Sequence, residues 1–257
     1  MNGIALITGA TAGIGRATAL LLARNEYNVI ITGRRSELLD KLEMEIMSKT
    51  SAEVLPLCFD VRDRSAVEAA INSIPKQWKK VDILVNNAGL AAGYSSIQEG
   101  DIEDWELMID TNIKGLLYVT RAISPGMVKR KSGHIINIGS IAGKEVYDKG
   151  NVYCSTKFAV DALTRGMRTD MVEYGIKVTA IHPGMVETEF SMVRFKGDKE
   201  KADKVYDGLI PLYDNDIAEA VLFSVTRPPH VNINEMLIMP TAQASASKSI
   251  RRAKQKN

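Results

Sequence analysis

Short apolar runs alternate with longer segments of helical period along most of the chain. The runs at 4–8, 29–32, 54–59, 83–86, 134–138, 177–182 and 236–239 have the length and the Val/Ile content of buried strands. Between them, 16–24, 36–48, 65–78, 103–123, 152–174 and 216–226 space their apolar residues as helices do. Strands and helices in this alternation predict repeated β-α units, hence an α/β fold with a seven-stranded parallel sheet. No linker and no internal repeat interrupts the series. One stretch breaks the rhythm: about thirty residues, 186–214, rich in Lys, Asp, Phe and Met, follow the sixth strand before the next clear helix. A long insertion beyond a strand C-terminus, where open α/β sheets bind ligands, is expected to be a lid or substrate loop.

Composition keeps this picture and removes alternatives. Hydrophobic residues at 45% and charged residues at 25% are ordinary globular proportions, so neither disorder nor a fibrous repeat is indicated. No run approaches eighteen apolar residues, and Met1-Asn2-Gly3 leads directly into a strand-like run, so neither a membrane span nor a secretory signal is expected. The formal charge of +2 arises in the last sixteen residues, where Lys248, Arg251, Arg252, Lys254 and Lys256 stand without an acid, leaving the body at a formal −3. Residues 242–257 are therefore expected as a basic flexible tail after a single domain at 1–241, and nucleic acid is not expected as a partner. Cys58 and Cys154 make no disulfide framework or zinc spacing, which fits a cytoplasmic protein. The single histidines His134, His182 and His230 suggest no metal site.

Candidate chemistry begins at the first strand end. Thr8-Gly9-Ala10-Thr11-Ala12-Gly13-Ile14-Gly15 is a glycine-rich turn opening a helix, the context in which backbone amides and a helix N-terminus take a pyrophosphate. Gly9 permits the turn, Gly13 the close approach of backbone to phosphate, and Gly15 the packing of helix on sheet. At the second strand end, an acidic residue would be expected for an unphosphorylated ribose, and the chain instead reads Gly33-Arg34-Arg35. Two guanidiniums match a 2′-phosphate and so select NADP(H). Asp60 is positioned to accept from an adenine amine, with a helix N-cap as its competing role, and Asn86-Asn87-Ala88-Gly89 closes the fourth strand beside the adenosine ribose.

The most telling stretch is Tyr153-Cys154-Ser155-Thr156-Lys157. Four-residue spacing puts phenol and ammonium on one helix face, and a nearby cation would pull the tyrosine below its usual value of about 10.

Together these motifs resemble the short-chain dehydrogenase/reductase family. The resemblance spans 4–241 and rests on Thr8-Gly9-x-x-x-Gly13-Ile14-Gly15, Asn86-Asn87-Ala88-Gly89, Asn112, Ser140, Tyr153-x-x-x-Lys157 and Pro183-Gly184. It implies a single Rossmann-type domain, helices on both sheet faces, and a homotetramer. By the same resemblance Tyr153 is the general acid/base, Lys157 lowers its pKa and holds the nicotinamide ribose, Ser140 donates to the substrate oxygen, and Asn112 holds a water joining Lys157 to solvent. Thr11, Ile14, Val61, Pro183, Gly184, Val186 and Thr188 would line the coenzyme. A finer similarity, to NADP-dependent 3-hydroxy acid dehydrogenases acting on serine and L-allo-threonine, rests on 104–112, 133–140, 193–198 and 230–234. It implies a small hydroxy acid or carbonyl substrate. The substrate carboxylate then needs a cation, with Arg194 the first candidate and Lys196 the second. A broad ketone or dicarbonyl reductase is the nearest alternative, and an NADPH-sensing protein without catalysis a more distant one. Two departures stand out: Ala12 replaces a basic residue found in some NADP-binding relatives, and 144–149 is more charged than the family pattern leads one to expect.

Overall fold

The computed structural model describes residues 2–252. Strands β1 (Gly3–Ile7), β2 (Tyr27–Gly33), β3 (Val54–Cys58), β4 (Val81–Asn86), β5 (His134–Ile138), β6 (Lys177–Pro183) and β9 (Glu235–Ile238) form one sheet in the order β3-β2-β1-β4-β5-β6-β9. Every neighbouring pair is parallel. The order reverses between β1 and β4, the place where such sheets leave a crevice at their carboxyl ends.

The inner strands are apolar on both faces because both faces are covered. Ala5 and Ile7 of β1, Val29 and Ile31 of β2, and Ile83 and Val85 of β4 pack under α1 (Gly13–Arg24), α2 (Ser36–Lys49) and α9 (Asp214–Val225). The alternate residues Leu6, Ile30 and Leu84 face α3 (Arg64–Ser73), α5 (Leu116–Arg130) and α6 (Asn151–Met171). Pro56 is tolerated in β3 because that strand is an edge.

The helix expected over 65–78 ends at Ser73, because Pro75 pushes Ile74 to extended backbone (ψ 124°), and a 3₁₀ turn Lys76–Trp78 follows. The helix expected over 103–123 runs longer and is interrupted. A π-helical turn, Asp110–Gly115, joins α4 (Ile102–Ile109) to α5, and Asn112 lies in it. Such bulges are frequent at functional sites.

The segment 186–214 is ordered structure. Two short strands, β7 (Val186–Glu187) and β8 (Leu212–Tyr213), pair at its base, and α7 (Phe190–Arg194) and α8 (Lys199–Lys204) lie between. Residues 242–252 do not form the free tail that their Ser/Ala/Lys composition suggested. The Gln243 side chain accepts from the Met185 amide at 2.8 Å, and Arg251 caps the end of α8 through the carbonyls of Val205 and Asp207. Lys254 and Lys256 of the expected tail lie outside the described residues.

Candidate active site

A cavity of about 360 Å³ opens at the crevice between β1 and β4 and runs to the ends of β5 and β6. Its walls include Gly9, Thr11, Gly13, Ile14, Arg34, Arg35, Asp60, Val61 and Asn87 at one end, Val186 and Thr188 of the lid, the latter against Gly13, and Ser140, Tyr153, Lys157, Pro183 and Gly184 at the other end. Three expected residues stand outside this wall: Gly15, Asn112 and Arg194.

Gly15 acts from beneath. A Cβ there would sit 2.4 Å from the Gly9 carbonyl oxygen and 2.4 Å from Asn87 Nδ2, so only glycine lets α1 close onto the turn. Asn87 then laces the turn to β4: its Nδ2 donates to the Thr8 and Gly9 carbonyls at 2.9 and 3.2 Å, and its amide donates to Thr8 Oγ1. Asn86 points inward and donates to Thr120 Oγ1 and Asn137 Oδ1, bracing the sheet.

At the 2′ end the two arginines differ. Arg35 Nη2 donates to Thr11 Oγ1 at 3.0 Å and pairs with Glu189 of the lid at 3.1 Å. Among the described residues Arg34 pairs only with Asp60, at 3.8 Å, and leaves 58% of its side chain exposed. Asp60 lines the cavity but does not take the competing N-cap role, which falls to Asp63; Arg62 binds both of its oxygens, and that pair holds its carboxyl below the usual range. Desolvation opposes that lowering and is the largest single influence on Asp60.

The catalytic end is assembled from three elements. Ser140 follows β5, and its Oγ accepts from the Ala142 amide at 3.1 Å. Tyr153 and Lys157 project from the first two turns of α6, both buried. The Lys157 ammonium donates to the Ile138 carbonyl at 3.0 Å, and burial lowers its pKa to about 8. Asn112 braces the site from behind: it accepts from the Leu90 amide and donates to the Leu90 carbonyl and Thr156 Oγ1.

The expected depression of Tyr153 by Lys157 is not what this environment produces. Burial drives the phenol well above its ordinary value and Tyr147 raises it further, while Ser140 and Arg194 pull it back. Desolvation outweighs the cations present: the Lys157 ammonium donates to the Ile138 carbonyl, and Arg194 has its charge centre 5.9 Å from the Tyr153 ring.

Arg194, at the end of α7, sits in a cage of tyrosines. Its charge centre lies 4.9 Å from the Tyr94 ring and 5.4 Å from that of Tyr147, and Nη1 donates to the Tyr147 hydroxyl at 2.9 Å. Among the described residues no carboxylate pairs with it, and its Nε is buried without a partner. Lys196, the second candidate, is committed to Asp104 at 2.9 Å and Asp101 at 3.2 Å. Arg194 lines a separate space of about 20 Å³ that shares Tyr153 with the main cavity.

Residues 3–199 match the model of the short chain dehydrogenase family. The chain belongs to that family. Among its short-chain dehydrogenase relatives, the NADP-dependent 3-hydroxy acid dehydrogenase of Salmonella typhi is 50% identical over 251 residues, covering 97% of this chain and all of that protein. A protein of the same description from Schizosaccharomyces pombe is 43% identical over 94% of both chains. The closed form of a serine dehydrogenase complexed with NADP+ superposes with a TM-score of 0.91 at 47% identity, covering 97% of this chain and 99% of that one. Together with the sheet order, these likenesses bear out the reading of the fold as one Rossmann-type α/β domain.

Sequence reasoning missed several residues of this short-chain dehydrogenase site. Tyr147 lay in the stretch noted only for its charge, and Tyr94 in a loop of no recognisable period. Phe190, which meets Tyr153 edge-on at 5.7 Å, and Glu189 belong to the lid, whose helices are too short for periodicity to reveal. Asp161 did carry a signal: with Tyr153 and Lys157 it makes an i, i+4, i+8 row on α6.

Proposed function

We propose that this short-chain dehydrogenase is an NADP-dependent oxidoreductase transferring hydride between NADP(H) and the 3-hydroxyl/3-keto position of small 3-hydroxy acids such as serine, L-allo-threonine or 3-hydroxypropionate. A 2′-phosphorylated dinucleotide fits the residues present: the Gly15-permitted cradle for the pyrophosphate and an exposed Arg34 guanidinium for the 2′-phosphate. When bound, the nicotinamide accepts hydride from the substrate carbon in oxidation and returns it in reduction.

The protein's own residues handle the proton and the charge. In reduction the Tyr153 phenol, kept protonated by burial, donates its proton to the substrate oxygen. Ser140 donates a hydrogen bond to the same oxygen as negative charge develops there. Lys157 holds the ribose and steadies the phenolate left behind. Oxidation runs the same steps backwards: Tyr153 first gives its proton to solvent, and the phenolate then takes the proton of the substrate hydroxyl. Asn112 ties the Leu90 backbone to the Thr156 hydroxyl, and we propose that it holds a water beside Lys157.

The observation that carries the substrate assignment is that Arg194 meets no carboxylate among the described residues. A guanidinium with a buried, unbonded Nε calls for an anion, and the carboxylate of a small acid held beside Tyr153 would supply one. The small space at Arg194 holds about one water, which a carboxylate oxygen would displace. Kinetics on Arg194→Ala test this. KM for 3-hydroxypropionate or serine should rise by about 10-fold or more, the size of one charge-assisted hydrogen bond, and KM for an uncharged ketone should stay flat. Equal effects on both substrates would remove the assignment and leave the broad carbonyl reductase, which the apolar Leu90, Phe190 and Val193 of the cavity wall would suit.

A further inference from the structure

The turn carrying Ser140 is fastened to the helix carrying Tyr153 and Lys157 by a contact that the reaction itself does not use. Gly143 lies directly on α6: a Cβ there would sit 2.6 Å from the Lys157 carbonyl oxygen. The next residue, Lys144, reaches one helical turn further and donates to Asp161 Oδ1 at 2.9 Å and to Glu235 Oε2 at 2.8 Å. Asp161 stands four residues beyond Lys157 on the same face, and Glu235 opens β9. Arg165 reaches the same two carboxylates at 3.1 and 3.7 Å. Lys144 and Asp161 keep only 20% and 13% of their side chains exposed, so water and salt screen this pair less than a surface pair.

On the other side, His182 completes the enclosure. Its ring is fully buried, packs so closely on Gly139 that a Cβ there would lie 2.4 Å from Nδ1, and places Nε2 3.4 Å from Asp161 Oδ1. Asp161, His182 and Glu235 form a group with metal-ligand spacing among the described residues. The Lys144 ammonium bridges its two carboxylates, so the cluster holds a built-in cation.

We propose that Lys144 is a positioning residue, which through Asp161 and Glu235 holds the Ser140 hydroxyl in register with Tyr153 and Lys157. This rests on the role of Ser140 given above. Small displacements of catalytic groups cost large factors in rate without changing what the coenzyme touches. Arg34, Arg35 and the glycine turn lie at the far end of the cavity from Lys144, so coenzyme binding should not register its loss.

The test is a kinetic cycle on four proteins: the natural chain, Lys144→Met, Ser140→Ala and the double variant, with Lys144→Arg as the conservative control. Lys144→Met should lower kcat for reduction by about 10-fold or more. The Kd for NADPH should stay within about twofold, and Lys144→Arg should recover most of the rate. In the Ser140→Ala background the same change should cost less than about twofold, because the group it positions is gone. Independent, multiplying losses in the double variant, or an unchanged kcat in Lys144→Met, would overturn the proposal. A Ser140→Ala variant of normal rate would instead refute the role of Ser140 itself. If Lys144→Met fails to fold, Asp161→Asn takes its place under the same criteria.

Discussion

Arg194 Nη1 and the Tyr147 hydroxyl are joined by a 2.9 Å hydrogen bond, in which a neutral phenol stands where a carboxylate would ordinarily meet a guanidinium. Burial raises the Tyr147 pKa, so the phenol stays neutral and leaves the arginine its full charge. The pair therefore orients a cation without neutralising it. Tyr147→Phe should raise KM for 3-hydroxy acids by about 10-fold, the size of one hydrogen bond to a charged group, with kinetics on uncharged ketones unaltered. Steady-state assays with the two substrate types check it.

The unequal engagement of the two arginines at the second strand end should show in coenzyme choice. Arg34→Ala is expected to weaken NADPH by about 10- to 100-fold while leaving NADH binding almost unchanged, since only the former carries the phosphate. Glu189→Gln acts in the opposite direction. It frees Arg35 from an exposed ion pair of small intrinsic worth, and NADPH affinity should rise. Fluorescence titration of both coenzymes against the two variants measures the split.

Lys157 gives the reduction a pH limit. Its pKa is lowered by burial to about 8, so the ammonium is present below that value and lost above it, whereas the raised Tyr153 phenol keeps its proton throughout. The kcat/KM for reduction should be level on the acid side and fall as pH rises through about 8, because that ratio reports groups of the free enzyme. A Lys157→Met variant should be slow and lack the inflection.

Buried histidines set a second pH dependence, that of stability. His134, at the start of β5, is held at about 3 by desolvation, and Lys177 adds to the effect; His182 is held at about 4 by desolvation and Lys144. In the unfolded chain each binds a proton near pH 6.5, the ordinary histidine value, so stability is lost as pH falls below that and continues to fall toward the folded values. The urea midpoint should drop over this window, and His134→Asn, which retains a polar atom toward Thr179, should flatten part of the slope.

Much of this was legible in the sequence, and the failures have physical causes. The inner strands of the main sheet could be read because a strand covered on both faces is a short, nearly continuous apolar run, as Val29–Ile30–Ile31 and Ile135–Ile136 illustrate. Periodicity could not reveal the π turn at Asn112, since one widened turn shifts the apolar register by less than a residue. The orientation of the Lys157 ammonium was equally hidden: i, i+4 spacing gives a shared face and leaves the head free to choose the Ile138 carbonyl. Residues 242–252 misled because their order comes from backbone carbonyls and from Gln243 and Arg251, which composition does not register.

Turnover and coenzyme binding by Tyr153→Phe test the central claim most directly, that a buried phenol exchanges the proton while NADP(H) is held independently by the opposite end of the cavity. NADPH should bind with its natural affinity, and kcat should fall by about 10²- to 10⁴-fold, the usual contribution of a general acid/base. A variant that turns over at a near-normal rate would contradict it.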